Sequence, residues 1–181
     1  MPQINLLYDE HCQNCPYYNQ AHLINTSYQT TRTLAPVGLE DNSSDTLLVF
    51  QSPGVEEWRV GKPLQITPRR AGKRIDLSWG RVRKHRQSQN PIRTDFNIIN
   101  AVQCFQGKVS SGRDAKPKAM AVRCCSNRLL TILQQTNYTK VIAFGDIAQQ
   151  ILPRLQSRLN PINHPHPTST KSRNVTLNAL W

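Results

Sequence analysis

Leu47-Leu48-Val49-Phe50-Gln51-Ser52-Pro53-Gly54-Val55-Glu56-Glu57-Trp58-Arg59-Val60-Gly61-Lys62-Pro63-Leu64 decides the fold. Four apolar residues run into a Ser-Pro-Gly turn, the pattern of a short strand buried on both faces. Phe96-Asn97-Ile98-Ile99-Asn100-Ala101-Val102 and Val141-Ile142-Ala143-Phe144-Gly145 repeat it. Helical patterns lie between these runs, at Ala71 to Trp79 and at Ala119 to Gln135, where Leu129, Leu130, Ile132 and Leu133 share a face. A further helix opens at Asp146, a good N-cap residue, and Pro153 should kink or split it near Leu152. Strands alternating with helices predict an α/β protein, a three-layer αβα sandwich around a mainly parallel sheet. In such sheets ligands bind beyond the carboxyl ends of the strands. That points to the polar turn after Phe50, to Asn100, and to the loop holding His164.

The remaining segments read as connections. Residues 11–25 suggest a cysteine-bearing turn followed by a short helix. Residues 52–70, 106–118 and 163–170 read as loops, and Arg81 to Thr94 as an exposed basic connection. At 181 residues one domain over 1–181 is expected. No apolar stretch is long enough to span a bilayer, and the first ten residues lack a signal-peptide pattern. The expectation is an intracellular monomer, away from membranes.

The chain has 23 Lys and Arg against 11 Asp and Glu, a formal charge of +12. The cations gather at Arg69 to Arg74, Arg81 to Arg86, Lys108 to Lys118 and Lys171 to Arg173. Four separate clusters with few acids predict a polyanionic partner, and nucleic acid is the commonest. The five cysteines are an odd number for a disulfide framework. Cys12 and Cys15 have the spacing of a two-thiolate clamp, and Cys104 with the Cys124-Cys125 pair supplies further ligands. Composition leaves zinc and [4Fe–4S] equally open.

These pieces, in this order, resemble the uracil-DNA glycosylase superfamily, and within it the iron–sulfur family-four branch. The branch has Cys-x-x-Cys near its start, then Gly-Glu-Ala-Pro-Gly-x-x-Glu-Asp-x-x-Gly-x-Pro-Phe, which runs here from Phe50 to Leu64. Its Arg-Ala-Gly-Lys is Arg70-Ala71-Gly72-Lys73, and its Asn-Val-Val-Lys-Cys is Asn100-Ala101-Val102-Gln103-Cys104. Its His-Pro-Ser is echoed at His164-Pro165-His166-Pro167-Thr168-Ser169.

The resemblance implies removal of uracil from DNA by base flipping and attack of a positioned water. It implies a structural [4Fe–4S] cluster on Cys12, Cys15, Cys104 and Cys125, the spacing to Gly145 favouring Cys125 over Cys124. Asn100 would read the uracil edge, because a carboxamide offers a donor and an acceptor in one plane. Ser52, Pro53, Gly54 and Leu64 would line the base pocket. Gln51 and Glu57 would position water. His164, with His166 as its alternative, would stabilise the departing base. Arg70, Lys73, Lys171 and Arg173 would grip phosphates.

This chain departs from the pattern at several positions. The first glutamate is Gln51, the stacking phenylalanine is Leu64, the aspartate is Trp58 and the first glycine is Phe50. Another branch of the superfamily traps the sugar on a loop histidine, but residues 106–123 contain none. A non-catalytic iron–sulfur protein that binds nucleic acid on the same fold is the alternative reading.

Overall fold

The structure is a computed structural model that describes residues 10–29, 36–85, 91–155, 160–169, 171–172 and 174–181. Its centre is a sheet of four parallel strands: β1 (Thr46–Phe50), β2 (Asn97–Asn100), β3 (Lys140–Phe144) and β4 (Ile162–His164), in the order β2-β1-β3-β4. The helices are α1 (Val55–Val60), α2 (Ala71–Val82), α3 (Ile92–Asp95), α4 (Ala119–Gln135), α5 (Asp146–Leu155) and α6 (Asn174–Asn178). β1 is central, pairing Phe50 with Asn100 on one side and Val49 with Ala143 on the other.

Alternation along the strands separates two cores, because successive side chains point to opposite faces. Leu48, Phe50, Ile98, Ile142 and Phe144 pack with Ile75 and Trp79 of α2, Ile92 of α3 and Leu177 of α6. Leu47, Val49, Ile99, Val141 and Ala143 face Leu129, Ile132 and Leu133 of α4 and Ala148, Ile151 and Leu152 of α5. This is the expected α/β arrangement, with a parallel sheet covered on both faces. No helix among the described residues is long and apolar enough to cross a membrane.

Several elements differ from the sequence reading. Val55 to Val60 is helical rather than loop, because Trp58 is a fully buried anchor and Gly61, in the left-handed region, ends the turn. The basic connection is not wholly exposed: α2 continues to Val82, and Ile92 in α3 is buried. Residues 86–90 lie outside the described residues. The second strand is shorter than 96–102, ending at Asn100. Residues 162–164 form β4, an edge strand whose Ile162 and Asn163 are exposed, so it lacks the apolar run that marks a buried strand. Pro153 does not split α5, which runs to Leu155.

Two arginines pin the loops around the strand ends. Arg93 pairs with Glu40 and donates to the carbonyls of Pro63 (3.0 Å) and Leu64 (3.1 Å). Arg74 of α2 donates to the carbonyls of Pro167 and Ser172, tying the histidine loop to that helix. Gly72 brings α2 against the preceding loop. A Cβ there would stand 2.2 Å from the carbonyl oxygen of Gln65, so no larger residue fits without backbone movement.

Candidate active site

The carboxyl ends of β1 and β2 open into a cleft of about 240 Å³. Phe50 ends β1 on its wall, stacked on Phe144 at 4.7 Å with the rings nearly parallel. Asn100, ending β2, reaches the same cleft. It is 2 % exposed, and its Nδ2 has no hydrogen-bond partner. A buried amide donor without a partner costs free energy, on the order of 1–3 kcal/mol. The fold tolerates that cost at the point where a ligand would meet the amide.

Ser52, Gly54, Glu57 and Leu64 line the cleft as the first loop reaches it. Pro53 is buried behind them. Leu64 adopts φ 53° and Arg69 φ 63°, left-handed conformations that bulky residues rarely take. Arg93 holds Leu64 in place through its carbonyl. Strain of this kind, over-determined by neighbours, clusters at functional sites. Glu57 Oε1 accepts from the Gln65 amide at 3.1 Å, which ties α1 to the loop before α2.

Gln51 stands beside the cleft wall rather than on it. Its Oε1 lies 3.5 Å from the point where a Cβ on Gly145 would stand, and the Cβ of His166 lies 3.6 Å from that point. Gln51 and His166 thus flank the glycine that ends β3.

The two histidines of the last loop have different surroundings. His164 is 3 % exposed, at the end of β4. Its Nδ1–H donates to the Pro165 carbonyl at 2.7 Å, and Nε2 meets Thr176 Oγ1 at 3.2 Å. Both ring nitrogens are engaged, and the ring packs beside Phe144. His166, two residues on, is the histidine that lines the cleft. The Thr168 backbone N–H points to its Nδ1 at 3.4 Å, and Thr168 Oγ1 lies 2.9 Å from that atom. Nδ1 is therefore the acceptor, which leaves the proton on Nε2. Burial lowers the His166 pKa, partly opposed by Asp114 and Asp146, so the ring is a neutral donor at pH 7. The expectation favoured His164; the geometry places His166 at the cleft instead.

Of the expected phosphate contacts, Arg70 lines the cleft at the start of α2. Lys73 lies one turn along, 3.5 Å from Asp76, and Lys171 is exposed. Arg173 lies outside the described residues. Sequence reasoning missed Lys108 and Asp114, which enter the cleft from the 106–118 loop, paired at 2.8 Å. Nothing in a Gly/Ser/Lys/Arg segment marks one aspartate as inward-facing.

All five cysteines are free and buried. A tight turn, with the Cys15 amide donating to the Cys12 carbonyl at 2.8 Å, brings the first two together. Burial pushes the Cys15 thiol up to about 11 and the Cys125 thiol up to about 12, and pushes Cys104 well above its ordinary value. Neighbouring thiols add to each shift: Cys125, Cys15 and Cys12 act on Cys104, and Cys15 and Cys12 act on Cys125. These four therefore lie within electrostatic reach of one another. Cys124 acts only on Cys15 among those shifts. Arg128 Nη1 lies 3.4 Å from Cys12 Sγ, a cation among groups that become anions when they bind metal. Among the described residues no three His, Cys, Asp or Glu side chains form a ready metal-binding group. The donor chemistry suits a thiolate-bound centre, although the thiols are not arranged as a closed ligand shell.

No curated protein matches the chain. A family model described as Uracil DNA glycosylase superfamily matches residues 37–181.

Proposed function

Because the chain belongs to the uracil-DNA glycosylase superfamily, we propose that it is a monofunctional DNA glycosylase that hydrolyses the N-glycosidic bond of uracil. The observation that carries this reading is Asn100, whose Nδ2 is buried, unpartnered and at the cleft. Uracil offers an acceptor at O4 and a donor at N3, which the two ends of one carboxamide can meet together. Cytosine inverts that pattern and would leave both pairs mismatched. The target base must leave the helix stack to enter such a cleft. There it would pack against Phe50 and Leu64, Phe50 supplying the aromatic surface that position 64 lacks.

As the bond breaks, negative charge collects on the departing base. A neutral His166 with its proton on Nε2 is suited to donate to the base carbonyl, the kind of preorganised contact that lowers such barriers. Gln51 lies beside Gly145, as His166 does, and would position the attacking water from the edge of the cleft. Glu57 would brace the first loop through Gln65. Arg70 and Lys73, together with Lys171 and Arg173 from the far end of the chain, would bind the phosphates of DNA, and the affinity should fall with added salt.

The cysteines support a [4Fe–4S] cluster on Cys12, Cys15, Cys104 and Cys125. Bound there, the cluster would be a structural tie, joining the 10–23 segment to Cys104 and α4. A brown purified protein with visible absorbance would separate it from zinc.

The activity is tested by incubating the purified protein with a uracil-containing oligonucleotide and cleaving abasic sites with alkali. Strand scission at the uracil, absent from a cytosine control, is the expected result. DNA binding without scission would sink the enzyme and leave the non-catalytic reading, which Gln51 and Leu64 favour.

A further inference from the structure

The first loop has lost the glutamate that its family pattern places at position 51, and the cleft holds a carboxylate from elsewhere. We propose that Asp114 is the general base that takes a proton from the attacking water. This rests on the glycosylase reading above and adds a catalytic residue to it.

Among the described residues three carboxylates line the cleft, and each has one oxygen engaged. Glu56 pairs with Arg59 at 3.3 Å, and Glu57 Oε1 holds the Gln65 amide. Asp114 is held by one oxygen: Lys108 Nζ meets Oδ1 at 2.8 Å. Its Oδ2 points at the first loop, 3.6 Å from where a Cβ on Gly54 would stand. Glu57 Oε2 lies 2.8 Å from the same point, so a side chain at 54 would collide with it. The glycine lets two carboxylates, one from α1 and one from the 106–118 loop, approach one spot on the cleft wall.

The mounting of Asp114 is rigid. Lys108 and Asp114 form an antiparallel bridge. Val109 donates to Arg113 (2.9 Å), and Ala115 donates to Gly107 (2.9 Å). The Asp114 side chain is 41 % exposed, so water reaches it. The charged and titratable groups around it are Lys108, Glu57 and His166, with Arg69 and Arg70 also on the cleft lining. His166 and Asp114 thus supply the two functions hydrolysis needs, a donor for the base and an acceptor for the water proton.

The step balances as a simple hydrolysis. The water oxygen bonds to C1′ of the deoxyribose as the C1′–N1 bond breaks. The bonding electron pair leaves with the base, where the His166 Nε2–H donates to a carbonyl oxygen. The water proton passes to Asp114 Oδ2, leaving a hydroxyl on C1′. The carboxyl then returns its proton to solvent.

The test compares wild type with Asp114→Asn, Asp114→Ser and Lys108→Met in single-turnover excision from a uracil oligonucleotide, with DNA affinity measured in parallel. Losing a general base should slow excision by about 10²–10⁴-fold. DNA affinity should hold or rise, because a negative charge has been removed from a DNA-facing wall. Lys108→Met breaks the same ion pair but keeps the carboxylate, so it should retain far more rate than Asp114→Asn. Should Asp114→Asn fold poorly by thermal melting, Asp114→Ser carries the comparison. Wild-type excision with an equally fast, folded Asp114 variant overturns this inference alone, as does a Lys108→Met loss matching that of Asp114→Asn. Failure of the wild type to release uracil overturns both this inference and the glycosylase reading.

Discussion

Replacing Asn100 by leucine should separate stability from function. In the unliganded protein Asn100 Nδ2 is buried without a partner. Such a group costs about 1–3 kcal/mol, because the hydration it lost on folding is not replaced. Leucine matches asparagine in heavy-atom count and Cγ branching, keeps the backbone pairing with Phe50, and removes the orphan donor. Some of the gain goes to fitting two methyl groups bulkier than the planar amide, which leaves roughly 1 kcal/mol. For a chain of this size that corresponds to a rise in Tm of about 2–4 °C. Excision should fall by at least about 100-fold, the scale of losing one preorganised donor. Thermal melting and single-turnover excision on the same preparation measure both effects. A variant that melts clearly below wild type would show that the amide stabilises the fold. Unchanged excision would show that it does not read the base.

Other expectations follow from packing, thiols and histidines. Gly72→Ala forces a methyl group to within 2.2 Å of the Gln65 carbonyl. It should cost roughly 1–3 kcal/mol of stability, read as a lower denaturation midpoint, and an unchanged midpoint would refute the contact. Cys104→Ser and Cys125→Ser should each lose visible absorbance after purification, while Cys124→Ser keeps it; the reverse between 124 and 125 would reassign the fourth ligand. Burial lowers the pKa of both His22 and His166, so the unfolded chain binds more protons below its histidine pKa. Their contribution is present above about 6.5, the unfolded value, and is lost as pH falls from there through the lowered folded values. Tm should drop as the pH is lowered below about 6.5, and the drop should shrink in a His22→Asn/His166→Asn double variant. An equal drop in that variant would assign the acid sensitivity to other groups.

The parts of the fold legible in the sequence were those fixed by local pattern. β1 and β3 are continuous apolar runs because each is covered on both faces. β4 was hidden because an edge strand with exposed Ile162 and Asn163 carries no such run. The helix at Val55–Val60 was hidden behind proline and glycine, its one strong signal being Trp58, whose burial depends on partners far along the chain. At the site, Asn100 was legible because the end of an inner strand is a predictable place. The choice between His164 and His166 was not, because it turns on where β4 ends, and strand ends are weakly encoded. Asp114 was invisible for a related reason, since its orientation comes from a hairpin closed by its own ion pair with Lys108.

The strand order also has a consequence for how this protein is made. β1 is synthesised first among the four strands yet lies between two that come later. On a ribosome, Leu47 to Phe50 emerges with both hydrogen-bonding edges bare. Its first partner, β2, appears only after α1, α2, α3 and the loops around them, and β3 only after α4. Pairings so distant in sequence are slow to form, because long loops must close before any contact rewards them. Until Phe144 has emerged, the nascent chain carries an apolar strand with an open edge, a ready target for chaperones or for a neighbouring nascent chain.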